Sequence, residues 1–242
     1  MRWSGGQGPA VETGGGILHG PDVGYLGFRV QVGQLEVEQV RLRPLWASEA
    51  RYQVPFQDAR WDATGLGAAH MQVDGDVFTL QGGPGFLATQ PTYQDFILSV
   101  DCRTQPETNS GVFFRCIPGE KLHGYESQIH NGMLDGDPAR PADCGTGGIF
   151  RRIDARRVVA ADQQWFRKVL VVCGGQISVW VNGYQVTDWS DQRKPDVNPR
   201  RGRRLEAGTV MFQAHDPGTH VEFKNFQIET LGTRHLNESN QK

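Results

Sequence analysis

Phe166–Asp188 reads FRKVLVVCGGQISVWVNGYQVTD. Three β-branched, apolar runs, Phe166–Cys173, Gln176–Val181 and Tyr184–Asp188, are separated by two-residue turn signals. Gly174-Gly175 marks one tight turn, and Asn182-Gly183 is the strongest hairpin signal in the chain, because both residues accept the positive φ of a type I′ turn. The reading is an antiparallel meander. Upstream, Val158–Val171 is open to a helical reading, but it runs straight into the β-branched hairpin, so strand is assigned from Trp165 onward. Further strands are predicted at Val77–Gln81, Phe96–Arg103, Gly111–Cys116, Tyr125–His130, Gly148–Arg152, Val210–Ala214 and Val221–Glu229. About ten short strands and no long 3.6-residue period predict an all-β, two-sheet antiparallel β-sandwich, with a jelly roll as its form.

The 242 residues suffice for one large all-β domain or two small ones. With 31 Gly, 13 Pro and 10% aromatic residues, the composition fits a sandwich better than a helical fold. A formal net charge of −2 excludes a global field toward nucleic acid or anionic membrane. No apolar run approaches the roughly 20 residues that span a bilayer. The first residues, MRWSGGQGPAVETGGG, lack an apolar signal core, so the expectation is a cytoplasmic protein or a chain without its native start. Cys102, Cys116, Cys144 and Cys173 contain no C-x-x-C spacing and so no zinc signature. Cys116 and Cys144 are the favoured pair if bridges form; four buried free thiols are the equal alternative.

Gly24–Leu45 (GYLGFRVQVGQLEVEQVRLRPL) and Gly208–Leu231 (GTVMFQAHDPGTHVEFKNFQIETL) share Gly-x-apolar-x-Phe, a turn, and an alternating run ending in Leu. The second closes the main domain. The first reads as the trailing hairpin of a preceding repeat, so residues 1–45 are assigned to that repeat or to an N-terminal extension. Residues 46–59 are a linker, 60–231 the main domain, and 232–242 a polar, disordered tail.

Function is sought in one row of polar residues. In GYESQIHN (124–131), Glu126, Gln128 and His130 fall at i, i+2 and i+4 and share a face of the strand, as Phe113 and Arg115 do in NSGVFFR (109–115). A carboxylate, an amide and an imidazole in one row face water, each other or a ligand. Each has a plainer reading: a Glu126–Arg115 cross-strand ion pair, a strand end at His130, core packing for Tyr125 and Trp165, and a turn at Asn109-Ser110-Gly111. His215-Asp216-Pro217 interrupts the closing hairpin and is either a groove-border pair or an Asp-Pro turn.

The segments NSGVFFR, GYESQIHN, GTGGIFRR, QQWF, VWVNGYQVTDW and VEFKNFQI occur in an order that resembles the 3-keto-disaccharide hydrolase domain family, over Phe78 to Leu231. The resemblance implies a concanavalin-A-like sandwich whose concave sheet handles carbohydrate, and an enzyme that cleaves 3-keto-glycosides by hydrolysis or by β-elimination followed by hydration. Many members carry Asp at the position of His130. A 3-keto group acidifies the C2 hydrogen, so the chemistry needs a base near C2, a cation for the enolate oxygen and an acid for the leaving group. His130 is the expected base, Glu126 the acid or orienting group, and Arg115 and Arg151 the enolate partners. Asn109 and Gln128 are the expected partners of sugar hydroxyls, with Tyr125 and Trp165 as stacking platforms and His215 at the groove border. The expected partner is a 3-keto sugar or oligosaccharide. The resemblance also implies export in the native form, and it admits two alternatives: a non-catalytic carbohydrate-binding module of a larger protein, or an interaction domain.

No metal or cofactor is required by the sequence, although Asp135, Asp137 and Asp143 offer oxygen ligands that suit Ca²⁺ without the spacing of a twelve-residue calcium loop. Residues 140–204 hold eleven Arg and two Lys against six Asp, an excess of seven positive charges. No recognition motif accompanies them, so no nucleic-acid partner is assigned. They are read as groove-rim residues or as a surface for an acidic glycan.

Overall fold

The computed structural model describes residues 60–231 and, as backbone only, residues 2–5, 11–12 and 35–36. The chain divides into two units at Arg51/Tyr52. In the first, strands β1 (Arg2–Gly5), β2 (Val11–Glu12) and β3 (Leu35–Glu36) pair antiparallel in the order β2-β1-β3. The rest of the expected hairpin at 24–45, the linker at 46–59 and the tail at 232–242 lie outside the described residues.

The second unit is the expected two-sheet sandwich. Its strands are β4 (Trp61–Asp62), β5 (Ala69–Asp74), β6 (Val77–Gly82), β7 (Gly85–Thr89), β8 (Phe96–Thr104), β9 (Ser110–Cys116), β10 (Tyr125–Ile129), β11 (Phe166–Cys173), β12 (Gln176–Val181), β13 (Tyr184–Ser190), β14 (Thr209–Ala214) and β15 (His220–Thr230). One sheet runs β10-β9-β14-β7-β4 and the other β13-β12-β11-β8-β15-β6-β5, every pairing being antiparallel. The meander β11-β12-β13 forms as read: Asn182 and Gly183 turn at φ of 49° and 80°. Val158–Trp165 is neither helix nor strand, and β11 starts at Phe166.

Alternation assigns the core. Val112, Phe114, Tyr125, Ile129, Val210 and Phe212 of the first sheet meet Phe78, Phe96, Leu98, Val100, Leu170, Val172 and Phe223 of the second. Phe78 stacks on Phe223 at 4.8 Å between centroids, and Phe212 meets both rings. Phe113, Cys116, Ala88 and Met211 form a separate apolar cluster on the outer face of the five-stranded sheet.

The expected strand at Gly148–Arg152 is absent. That segment belongs to a loop with positive φ at Cys144, Gly145, Gly147 and Arg151, which breaks any extended run. It still pads the free edge of β10: the Gly147 and Phe150 N–H groups donate to the Gln128 and Glu126 carbonyls, and Gln128 N–H donates to the Gly148 carbonyl, each at 2.9 Å. An exposed strand edge is thereby covered. All four cysteines are free thiols, so the favoured Cys116–Cys144 bridge is not formed. Cys116 packs where β10 begins, against Gly124, whereas Cys144 hydrogen-bonds the Ile153 carbonyl in the padding loop.

Candidate functional site

Residues of β10 and β9 that point away from the core build the floor. Glu126 is opposite Phe113 and Gln128 is opposite Gly111. Glu126 leans over Gly111, where a Cβ would stand 2.9 Å from its Oε1. The missing side chain is the seat of the carboxyl group. Glu126 is only 6% exposed, and Arg200 Nη2 donates to its Oε2 at 3.2 Å. Burial lifts its pKa to about 6, against the pull of the Arg200 and His215 charges and with a push from Asp143.

Three further groups converge on this point. Asp143 Oδ2 accepts from Asn109 Nδ2 (2.8 Å) and from Gln128 Nε2 (2.9 Å), and Gln128 Nε2 also donates to the Asp143 carbonyl. His215 Nδ1 pairs with Asp216 Oδ2 at 2.8 Å, leaving Nε2 outward in a half-exposed ring. The Arg200 guanidinium lies over the Phe113 and Phe150 rings, at 5.1 and 5.7 Å. Asn109 Oδ1 and Gln213 Oε1 are buried acceptors without a partner among the described residues, a rare condition in native proteins.

The loop carrying Arg200 is moored in the core. Tyr125 Oη donates to Asp191 Oδ2 (2.7 Å) and accepts from Arg204 N–H (2.9 Å), so one phenol holds both roots of the loop. Asp191 is 1% exposed; burial opposes its charge, but the hydrogen bonds from Arg193 and Tyr125 outweigh it and keep its pKa low. Arg152 Nη2 donates to the Arg200 carbonyl, which fixes the tip.

Four sequence-based assignments need correction. Arg115 is 1% exposed and absent from this face. Its position is the extra residue of a bulge: Phe113 pairs with Met211 and Cys116 with Thr209, so two residues of β9 oppose Val210 alone. With φ of 47°, Arg115 leaves the alternation and donates to the carbonyls of Gln94, Gly174 and Arg204 and to Asp95 Oδ1. Tyr125 is on the core face, stacked on Phe114 at 5.3 Å. Trp165 lies over the outer face of the other sheet, between the Lys224 ammonium (4.3 Å) and the Arg103 guanidinium (4.7 Å). Gln128 is saturated by Asp143 and positions that carboxylate rather than a sugar.

His130 stays at the far end of the row. Four residues of strand put its Cα about 13 Å from that of Glu126; its backbone N–H donates to Thr146 Oγ1 and its Nδ1 accepts from Gly132 N–H. Arg151 is on the rim, exposed, with its guanidinium 5.2 Å from the Phe150 ring. Of the candidate calcium ligands, Asp135 pairs with Arg140, Asp137 caps Ala139 N–H, and only Asp143 reaches the site. No group of three metal-ligating side chains gathers among the described residues.

Beneath the row, Lys168 of β11 is fully buried. Its Nζ crosses the core and donates to the Ser127 (2.8 Å) and Gln128 (2.7 Å) carbonyls. Burial pushes its pKa down to about 8 against the pull of Cys102, Glu126 and Cys144.

A two-sheet antiparallel sandwich with a buried carboxyl group, a second carboxylate, an imidazole and a guanidinium on one outer face is a concanavalin-A-like jelly roll equipped for polar ligand chemistry. The chain belongs to the family of 3-keto-alpha-glucoside-1,2-lyase-like domains, which matches residues 52–229. Membership supports a carbohydrate-related function. Similar solved structures include two candidate glycosyl hydrolases of Parabacteroides distasonis. One is 20% identical with a TM-score of 0.55, covering 71% of this chain and 88% of its own. The other is 21% identical with a TM-score of 0.54, covering 71% and 100%. These likenesses carry the fold. No curated protein matches the chain.

Proposed function

We propose that the domain cleaves 3-keto-glycosides by β-elimination, with hydration of the product completing a net hydrolysis. The observation that carries this reading is Glu126, seated over Gly111 with a pKa near neutrality and a guanidinium on its Oε2. A general base works best when its pKa approaches the working pH. Glu126 takes the C2 proton, the electron pair passes to an enolate with its charge on the C3 oxygen, and Arg200 neutralises that charge. The pair then returns to form the C1=C2 double bond as the C1–O bond breaks. His215, oriented by Asp216, gives a proton to the departing oxygen. In this reading Arg200 takes the role that the sequence assigned to Arg115, and the charge of His215 acts on Glu126.

Incubation with a chromogenic 3-keto-glucoside tests the proposal, following aglycone release and enone absorbance together. Aglycone with a transient enone in the parent protein, and neither in Glu126→Gln, supports it. Aglycone without an enone, in a solvent-isotope experiment that leaves the C2 hydrogen unexchanged, replaces elimination by direct hydrolysis. Melting-temperature shifts with 3-keto sugars but no product in any condition make the domain a carbohydrate-binding module instead.

A further inference from the structure

A small recess opens beside the Glu126 carboxyl, lined by Gly124, Glu126, Phe150, Arg152, Pro199 and Arg200. Its charges do not balance. Arg193 nearby is neutralised by a two-pronged pair with Asp191. Arg200 has Glu126. Arg152 has no carboxylate: its guanidinium donates to the carbonyls of Arg151 and Arg200 and makes no ion pair among the described residues. Burial and the neighbouring Arg193 and Arg200 charges lower its pKa against the pull of Asp191, which is itself bonded to Arg193, so it is held in a place that on balance disfavours its own charge. Arg151 on the rim, over Phe150, likewise has no acidic partner among the described residues. Two guanidinium groups, Arg152 and Arg200, thus line the recess with the single carboxyl group of Glu126, and Arg151 stands at its rim over Phe150. Unpaired like charges held together cost stability unless an anion joins them, and the planar guanidinium fork matches an oxyanion.

We propose that this recess is a subsite for an oxyanion carried on the saccharide, a carboxylate or a sulfate ester, gripped by Arg152 with help from Arg151 and Arg200. The substrate class is then an acidic 3-keto-glycoside rather than a neutral one. The location of the subsite rests on the function proposed above, but the anion grip is measurable by binding alone.

The test is calorimetric titration at fixed ionic strength with D-glucuronate, glucose 6-sulfate, glucose and sodium sulfate, on the parent protein, Arg152→Met and Arg151→Met. The expected result is affinity for one of the two anionic sugars at least tenfold above that for glucose and above that for sodium sulfate. Which of the two is preferred separates carboxylate from sulfate. Arg152→Met is expected to bring the preference to within about twofold; because Arg152 also holds the Arg200 carbonyl, this variant is read by binding and not by turnover. Exposed Arg151→Met, a replacement that leaves the buried framework alone, is expected to reduce the preference about threefold. Equal affinity for glucose and both acidic sugars, or a preference intact in both variants, overturns the proposal. So does sodium sulfate binding as tightly as the sugars, which means unspecific ion attraction. An intact anion preference in a protein that turns over no 3-keto-glycoside instead refutes the function proposed above and leaves the subsite standing.

Discussion

Glu126 occupies the space of a side chain that Gly111 lacks: a methyl group there would stand 2.9 Å from Oε1 and 3.0 Å from Cγ. Gly111 has no positive φ, so alanine fits its backbone. Gly111→Ala is expected to displace the carboxyl group and to cut kcat at least tenfold, while the melting temperature moves by only a few degrees. Unchanged turnover in a folded variant would show that the seat over Gly111 has no part in the reaction.

Glu126→Gln separates chemistry from stability. A pKa raised from 4.5 to about 6 means that the folded state holds the proton more tightly. The linked stabilisation is full below pH 4.5 and is lost as pH rises through about 6. Above pH 7 the buried charge is a net burden, which glutamine removes. The variant is expected to be more stable than the parent at pH 8 by on the order of 1 kcal/mol, to lose that advantage near pH 4.5, and to have turnover reduced about 10²–10⁴-fold. Thermal melts across this pH range, beside rate measurements, check both halves.

Arg115→Met is expected to damage the fold. It leaves Asp95 without its guanidinium and three loop carbonyls without a donor, and breaking a buried pair of this kind typically costs about 3–5 kcal/mol. Urea denaturation gives the number. A variant of parental stability that has lost turnover would restore Arg115 to the chemistry.

The two histidines are expected to part company. His215→Ala removes the proposed acid, with turnover falling about 100-fold or more. His130→Ala, about 13 Å along the strand from Glu126, is expected to stay within fivefold of the parent. The reverse ranking, measured side by side on one substrate, would return the catalytic role to His130.

Lys168→Met is read best as a difference between two pH profiles. A lysine whose folded pKa is about 8, against 10.5 when unfolded, makes stability rise as pH climbs from about 8 to about 10.5. Buried Tyr125, with a raised pKa, pushes the other way at high pH and is common to both proteins. The stability of the parent minus that of Lys168→Met is therefore expected to increase over this window. A flat difference would mean that the ammonium is not charged and buried at neutral pH.

Much of the fold was legible because turn chemistry and alternation agreed: the two turns of the β11–β13 meander gave its strands within two residues. Of the missed strands β5 and β7, AHMQVD alternates cleanly but is an edge strand with only Ala69 buried, and GFLAT is a continuous apolar run with no alternation to read. The padding loop at 144–153 looked extended because its apolar residues are spaced like those of a strand, yet four positive-φ residues fold it back. Within the candidate site, alternation put Glu126 and Gln128 on one face, as the structure has them, while Asn109 and Gln128, read as sugar partners, are both engaged by Asp143. Arg115 was misplaced because alternation counts every residue, and a bulge adds one that the count cannot see. Arg200 was visible only as one of many arginines, since its place depends on a long loop and on contacts distant in sequence. Lys168, next to Arg167, offered no signal that its ammonium crosses to the opposite sheet.

Tyr125, misread as a sugar platform, has a different consequence. By gripping Asp191 and Arg204 it pinches the neck of the excursion that displays Arg200, while Arg193 ties the excursion from within through the Pro199 and Gly202 carbonyls. Such a neck makes the tip a replaceable cassette. Exchanges within 192–203 that keep Arg193 and Arg200 can then alter what the rim touches, while the carboxyl group over Gly111 keeps its place.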